Sequence, residues 1–275
     1  MTRFVNNTKP VFLLGGMMAL FVAIGGMLGQ GYMIPFLIMG IATNFVAFFF
    51  SDRIAIKAMR GQEVGPGDPL YEMVDELRQK ANLPMPRVYV CPQQAPNAFA
   101  TGRSPKKAAV AATMGAMQLL TEEEMRGVMA HELAHIKNRD TLTSTIAAPL
   151  AGVLAFLAQW GFLFMGGRNE NSNPFVMIAV VIIGAIGAAV IKAMISRSRE
   201  FVADADAAAL VGSPDGLIAA LTKLENLNRR IPMANPNPAQ NNLFIVEPFA
   251  GESLAKLFAT HPPTEKRIEA LRSAG

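Results

Sequence analysis

Four long stretches without a charged residue constrain this chain more than any other feature. Each can supply the roughly 20 apolar residues that cross about 30 Å of hydrocarbon as a helix. Four such lengths argue against the core helices of a soluble protein. The charged share of only 17% agrees, because soluble domains carry about a quarter. The stretches comprise residues 11–28, 31–50, 141–167 and 171–191. We predict four transmembrane helices, with a shallow hairpin as the alternative for the last two. The first is predicted to be retained rather than cleaved as a signal peptide.

Basic residues flank these stretches on one side. The turn inside the first pair has no charge, and the turn inside the second pair has only Arg168 and Glu170. The positive-inside rule therefore predicts that both termini and both polar segments face the cytoplasm of a bacterial inner membrane. This bias explains the net charge of +4, so the bilayer is an expected partner and nucleic acid is not. The flanking cations are Arg3, Lys9, Arg53, Lys57, Arg60, Lys137, Arg139, Lys192, Arg197 and Arg199.

The spans divide the chain into four parts and predict a mainly α, α+β fold with a small sheet. The parts are a membrane hairpin at 1–52, a polar segment at 53–140, a second membrane hairpin at 141–191 and a polar segment at 192–275. Periodicity and turn residues predict the elements of the first polar segment. They are a helix at 68–80, strands at 87–91, 97–101 and 108–113, and a helix from Thr121 to about Asn138 whose start has capping-box spacing.

The sequence His131-Glu132-Leu133-Ala134-His135 lies within the last of these helices. Two histidines four residues apart share one helix face, so their ring nitrogens can converge on one metal ion. This is the H-E-x-x-H pattern of zinc hydrolases, in which the glutamate is the general base. The chain has only three histidines, and two of them are in the motif. We therefore predict one Zn²⁺ per chain, held by His131 and His135, with Glu132 as the base.

A catalytic zinc site needs a third protein ligand. The candidates are the remaining histidine, His261, and the carboxylates. Glu200 and Asp204 lie four residues apart on one predicted helix face. Glu200 could therefore bind the metal while Asp204 accepts the spare ring N–H of a zinc histidine, plausibly His131. Continuous helices at 1.5 Å per residue would put His135 and Glu200 at similar heights, about 12 and 14 Å from their spans, although residues 138–141 could break the first helix. The alternative is that Glu200 pairs with the arginines beside it.

The chain resembles the HtpX family of bacterial membrane metalloproteases, relatives of the eukaryotic CAAX prenyl endopeptidase. The likeness covers nearly the whole chain and includes both membrane hairpins, Asn97-Ala98-Phe99-Ala100-Thr101-Gly102, HELAH, Glu200-x-x-x-Asp204 and His261-Pro262. It implies a glutamate-ligand zincin fold whose two parts are residues 53–140 and 192–275. It also implies a zinc endopeptidase for misfolded or damaged membrane proteins and unfolded polypeptides, in membrane quality control and the stress response. It implies no oligomeric state.

The resemblance implies further roles for individual residues. Asn97 and Ala98 would lie on a strand edge beside the zinc and bind the substrate backbone by β-addition. His261 would stabilise the oxyanion of the tetrahedral intermediate. Glu132 would take a proton from water and pass it to the leaving amine. The role of Arg267 is left open, and the two alternatives are a salt-bridge partner and a substrate clamp.

Three other classes of protein share some of these features. A hydrolase of non-peptide bonds could use the same motif, although an extended strand edge favours a peptide. A zinc-stabilised scaffold would not need Glu132, and a transporter would need ionisable residues that these spans almost entirely lack. The single cysteine, Cys91, excludes an internal disulfide and is predicted to be a small buried residue.

Overall fold

A computed structural model describes residues 2–143, 146, 198–230 and 262–274. The fourth predicted span, nearly all of the third and His261 lie outside these residues. So does the segment 232–251, which is rich in proline and asparagine and is predicted from the sequence to be a loop that caps the cleft. The other predicted elements can be compared with the structure directly.

Two long helices form a hairpin at the start of the chain. They are α1 (Thr2–Leu28) and α2 (Met33–Ala58), joined by a 3-10 turn. Phe21 and Ala47 are buried between them, and Asn44 Nδ2 donates to the Leu14 carbonyl at 2.8 Å. Both helices are long and apolar enough to cross a membrane, over Thr8–Gly26 and Met33–Ala58. Large apolar side chains of α2 face outward, which suits contact with lipid.

A mixed four-stranded sheet follows the hairpin. Its strands are β1 (Gln62–Val64), β2 (Arg87–Cys91), β3 (Ala98–Thr101) and β4 (Ala109–Thr113), in the order β1-β2-β4-β3. The β2–β4 pair is parallel and the other two pairs are antiparallel. The three predicted strands are confirmed, and β3 is an edge strand. The sequence analysis missed β1, which has only three residues.

The β3–β4 hairpin depends on Gly102. Its φ is +127°, a conformation that residues with a Cβ rarely adopt. A Cβ there would lie 2.4 Å from the Lys107 carbonyl oxygen, so the turn has room only for glycine. Thr141 Oγ1 donates to the Gly102 carbonyl at 3.0 Å and ties the turn to the segment that follows the HELAH helix.

Helices cover one side of this sheet. They are α3 (Pro69–Lys80), capped by Asp68, the short α4 (Met114–Leu119), which the sequence analysis missed, and α5 (Glu122–Asn138). The predicted capping box at the start of α5 is confirmed: Thr121 Oγ1 accepts from the Glu124 N–H, and Glu124 accepts from the Thr121 N–H. Helix α5 ends at Asn138 because Arg139 adopts a left-handed conformation with φ 58°. The assumption of a continuous helix from His135 into the third span was therefore wrong.

Three helices from the end of the chain pack on α5 and on one another. They are α6 (Ser198–Val211), α7 (Asp215–Arg230) and α8 (Thr264–Ala274). A Cβ on Gly127 of α5 would lie 2.6 Å from the Leu217 N atom, so α5 and α7 meet backbone to backbone there. The main core lies between the sheet and these helices and includes Leu77, Val110, Met129, Leu133 and Leu221.

Candidate metal centre

Helix α5 brings two imidazole rings together. His131 and His135 lie one turn apart, with ring centroids 4.5 Å apart and nearly perpendicular planes. Their Nε2 atoms face each other at 3.0 Å. The buried interior of α5 fixes both rings, because His131 is only 1% exposed and its helix neighbours pack into the core.

Helix α6 adds a carboxylate to this pair. Glu200 Oε2 lies 3.6 Å from His131 Nε2, and Glu200 Oε1 lies 3.7 Å from His135 Nε2. One donor atom from each of these three residues lies within 4.8 Å of the others. Two imidazole nitrogens and one carboxylate oxygen match the ligand types and number of catalytic zinc sites. The three residues could therefore hold one divalent metal ion.

A second carboxylate lies beside the Nδ1 atom of each ring. Asp204 Oδ1 lies 2.9 Å from His131 Nδ1, and Asp140 Oδ1 lies 3.0 Å from His135 Nδ1. A carboxylate beside Nδ1 favours the tautomer that carries its proton there and leaves the Nε2 lone pair for a metal. Both Nε2 atoms point to the same place, so the two carboxylates orient both rings toward one ion.

The electric field of the site favours a cation. Burial acts to lower the pKa of His135, but Asp140 and Glu200 outweigh it and raise that pKa to about 10. Burial also acts to lower the pKa of His131, and there Asp204 and Glu200 outweigh it, so that pKa is raised as well. A field that favours a proton on each ring also favours a metal cation between them.

Glu132 lies beside these ligands in a buried position. It is 5% exposed, and its carboxylate accepts a hydrogen bond from the Ala100 backbone on β3. Burial is the main factor that raises the pKa of Glu132, and Glu200 adds to the effect, while the two histidines oppose it. A carboxyl group with a raised pKa is a stronger base than an ordinary glutamate.

The edge strand β3 runs beside Glu132. The Asn97 N–H donates to Thr113 Oγ1 at 2.8 Å, and the Thr113 N–H donates to the Asn97 carbonyl at 2.9 Å. The backbone of Asn97 therefore faces β4. Because backbone direction alternates along a strand, the N–H and carbonyl of Ala98 and Ala100 point away from β4. The hydrogen bond from Ala100 to Glu132 agrees with this direction.

Two residues that support the site were not assigned from the sequence. Arg267 on α8 is buried and binds Asp204 through two hydrogen bonds of 2.7 and 2.9 Å, which makes it a salt-bridge partner. Burial acts to raise the pKa of Asp204, but Arg267 and His131 hold it at about 2. Asp140 follows the left-handed Arg139, and its backbone N–H donates to the His135 carbonyl at 3.3 Å. The sequence offered one signal for Asp140, which is an acidic residue directly after the predicted end of the helix.

Comparisons with known proteins agree with this architecture. The family model described as Peptidase family M48 matches residues 68–274. A protease HtpX homolog of Desulfatibacillum aliphaticivorans is 48% identical over 279 residues, which cover 98% of this chain and 90% of that protein. A second, of Burkholderia ambifaria, is 47% identical over 275 residues, or 97% of this chain and 96% of that protein.

A solved structure shares the fold at low sequence identity. The crystal structure of S. mikatae Ste24p aligns with a TM-score of 0.55 and 16% identity. The alignment covers 98% of this chain and 65% of that protein, so the chain spans about two thirds of Ste24p.

Proposed function

The chain belongs to peptidase family M48 and to its HtpX group of membrane proteases, and from this premise we propose that it is a zinc-dependent endopeptidase of the inner membrane. Its substrates would be misfolded or damaged membrane proteins and unfolded segments near the bilayer. Cleavage would occur on the cytoplasmic side, as part of quality control and the stress response. The observation that carries the proposal is the convergence of His131, His135 and Glu200 beside the buried Glu132.

The proposed reaction assigns a separate task to each group. His131, His135 and Glu200 would hold the zinc ion, which would supply Lewis-acid polarisation and make water acidic near neutral pH. Glu132 would take a proton from the attacking water and later give it to the leaving amine. Its raised pKa suits both transfers, because an efficient acid–base group titrates near the working pH.

The edge of β3 would hold the substrate. Its outward backbone groups at Ala98 would pair with an extended peptide, which fixes the scissile bond without reading much sequence. Asn97 would then act through its side chain or by setting the strand direction, because its backbone bonds to β4. We retain the oxyanion role for His261, which lies outside the described residues. A zincin-like arrangement of sheet, HELAH helix and glutamate helix is part of this proposal.

The proposed membrane arrangement has four spans with the protease part in the cytoplasm. In its support, β1 begins at Gln62, only four residues after the end of α2 at Ala58. Ile146, from the predicted third span, is buried against Leu13 and Ala47 of the first hairpin. By the positive-inside rule, the basic residues that follow α2 support a cytoplasmic position for the protease part.

Casein cleavage by the purified full chain in detergent tests the function. We expect Glu132→Gln to lower kcat about 10²- to 10⁴-fold, the usual contribution of an acid–base group, and to keep its zinc. Glu123→Gln, on the exposed face of the same helix, is the matched control and should cleave like the wild type. Equal cleavage by Glu132→Gln and the wild type would exclude Glu132 as the base.

A further inference from the structure

An arginine of the β3–β4 hairpin lies against the end of a candidate membrane helix. The guanidinium carbon of Arg103 is 4.8 Å from the centroid of the Phe49 ring. Phe49 is 41% exposed and belongs to the last turns of the uncharged part of α2. Cations stack favourably on aromatic faces, and aromatic rings mark the interface between hydrocarbon and water. The hairpin therefore lies at the level where α2 would leave the hydrocarbon.

Further cations lie on α2, in the turn after it and at the tip of the hairpin. Arg53 and Lys57 follow Phe49 at intervals of four residues, so they share its helix face. Arg60 lies in the turn after α2, and Lys106 and Lys107 lie at the tip of the hairpin. Five of these side chains are exposed and Arg103 is half-buried. Lys57 and Arg60 lie about 12 and 16 Å beyond Phe49 along the axis of α2, so the basic rim is defined as the set Arg53, Arg103, Lys106 and Lys107.

Among the residues that the structure describes, none of the four cations of the basic rim forms an ion pair, so no carboxylate offsets its positive charge. The nearby Asp52 is already bound by Arg87 at 2.8 Å, and Glu63 accepts from the Tyr89 hydroxyl at 3.1 Å. Cations elsewhere in the protease part do form ion pairs, namely Arg78, Lys80, Arg126, Lys223 and Arg267.

We propose that the basic rim binds the phosphate groups of anionic phospholipids, an inference that rests on the proposed insertion of α2 in the membrane. Anionic lipids give the cytoplasmic leaflet a negative potential that acts within about a Debye length of the surface. The contact between Arg103 and Phe49 puts the hairpin within that distance. Phosphates fit better than an acidic protein, because a soluble partner would need to approach along the bilayer surface itself.

Binding at the basic rim would fix the proposed active site relative to the membrane. The hairpin continues directly from β3, whose Ala100 N–H binds Glu132. Thr141 also ties the hairpin to the segment after α5. Headgroups bound at the hairpin would therefore hold the substrate strand and the HELAH helix at one height above the lipid.

Lipid-borne quenchers test this proposal with the full chain in nanodiscs. A fluorophore is attached at Ser104→Cys in a Cys91→Ala background, and quenching by spin-labelled phosphatidylglycerol is compared with quenching by spin-labelled phosphatidylcholine. We expect spin-labelled phosphatidylglycerol to quench at least twofold more effectively than spin-labelled phosphatidylcholine. This difference in quenching should become smaller in high salt. The variant Arg103→Ala/Lys106→Ala/Lys107→Ala should strongly reduce the preference, by roughly fivefold in relative affinity for each lost cation. The control Lys80→Ala/Lys266→Ala/Arg272→Ala removes the same number of positive charges elsewhere and should keep the preference for the anionic lipid.

The outcomes separate this proposal from the one on which it depends. Equal quenching by both lipids, or a preference that is unchanged by loss of the three hairpin cations, would overturn the lipid site and leave the protease proposal intact. Flotation of the wild type with liposomes after carbonate extraction is measured in parallel. Loss of the protein from the liposomes would overturn the insertion of α2, and the lipid site with it.

Discussion

Arg267 reaches Asp204 with two hydrogen bonds, Nη2 to Oδ1 at 2.7 Å and Nε to Oδ2 at 2.9 Å, although 63 residues separate them in the chain. Both side chains are almost fully buried. A forked guanidinium–carboxylate pair fixes direction as well as charge. Because Asp204 also lies 2.9 Å from His131 Nδ1, α8 indirectly orients a proposed metal ligand.

Arg267→Lys should weaken zinc binding roughly 10- to 100-fold, as loss of an outer partner of a metal ligand commonly does. Arg267→Ala should also destabilise the fold by about 3–5 kcal/mol, because it leaves a buried carboxylate unpaired. Competition with a chromophoric chelator measures the affinity, and thermal unfolding in detergent measures the stability. Arg272→Ala, exposed on the same helix, should change neither. Wild-type affinity in Arg267→Lys would contradict a role for Arg267 in the metal site.

Asp140→Asn should weaken zinc binding by a similar factor, roughly 10- to 100-fold. The amide can still accept from His135 Nδ1, but it lacks the charge that favours the required tautomer. The spectrum of the cobalt-substituted protein reports the ligand geometry directly and should change. Asp75→Asn on α3, remote from the metal ligands, is the control. An unchanged cobalt spectrum and affinity would mean that Asp140 only caps the end of α5.

Glu200→Ala should lower the zinc content of desalted protein from one per chain to well below one. It should also reduce the stabilisation that added zinc gives the wild type, about 4 kcal/mol at a thousandfold excess over Kd. Metal analysis and thermal unfolding with and without zinc measure the two effects. Glu269→Ala, exposed on α8, should behave like the wild type. Full zinc occupancy in Glu200→Ala would exclude Glu200 as a required ligand and leave His261 as the candidate for the third ligand.

Gly102→Ala should destabilise the protein more than Gly67→Ala. Both glycines have positive φ values, +127° and +93°, so both substitutions add backbone strain of about 1 kcal/mol or more. Only the Cβ at position 102 would also clash, at 2.4 Å from the Lys107 carbonyl oxygen, whereas nothing lies within 4 Å at position 67. Thermal unfolding of both variants separates clash from strain. Equal losses of stability in the two variants would show that the hairpin accommodates the Cβ without an additional free-energy cost.

Cys91 should resist alkylation in the folded protein. The residue is fully buried, and burial raises the pKa of its thiol to about 11. At pH 8 only about one thiol in a thousand would then be ionised, against about a quarter for a free cysteine, and the thiolate is the reactive form. Iodoacetamide labelling followed by mass measurement, with and without denaturant, tests this. Rapid labelling of the folded chain would contradict the buried position.

The sequence predicted the local features well because each has a local cause. Uncharged runs predicted the two long apolar helices α1 and α2, the Thr121–Glu124 spacing predicted the start of α5, and apolar runs between turns predicted three strands. The three-residue β1 was not predicted because its residues are mostly polar and its strand pairing is with β2, which is distant in the sequence.

The candidate site was predictable only where its residues share a helix. His131, Glu132 and His135 follow from spacing alone, and so does the common face of Glu200 and Asp204. Arg267 could not be assigned, because its partner lies 63 residues away and only the packing of α8 on α6 brings them together. The possible break at residues 138–141 lies where the structure has the left-handed Arg139, but the helix pattern alone did not decide between a break and a continuous helix.

The order of the site residues along the chain has a consequence for biosynthesis. The HELAH helix leaves the ribosome first, α6 follows with Glu200 and Asp204, and Arg267 comes last. A nascent chain that lacks α8 has an Asp204 carboxylate without its counter-ion, so the outer support of His131 is incomplete. Full support of the metal ligands would therefore arrive only once α8 has been synthesised, and a product truncated before α8 would lack it.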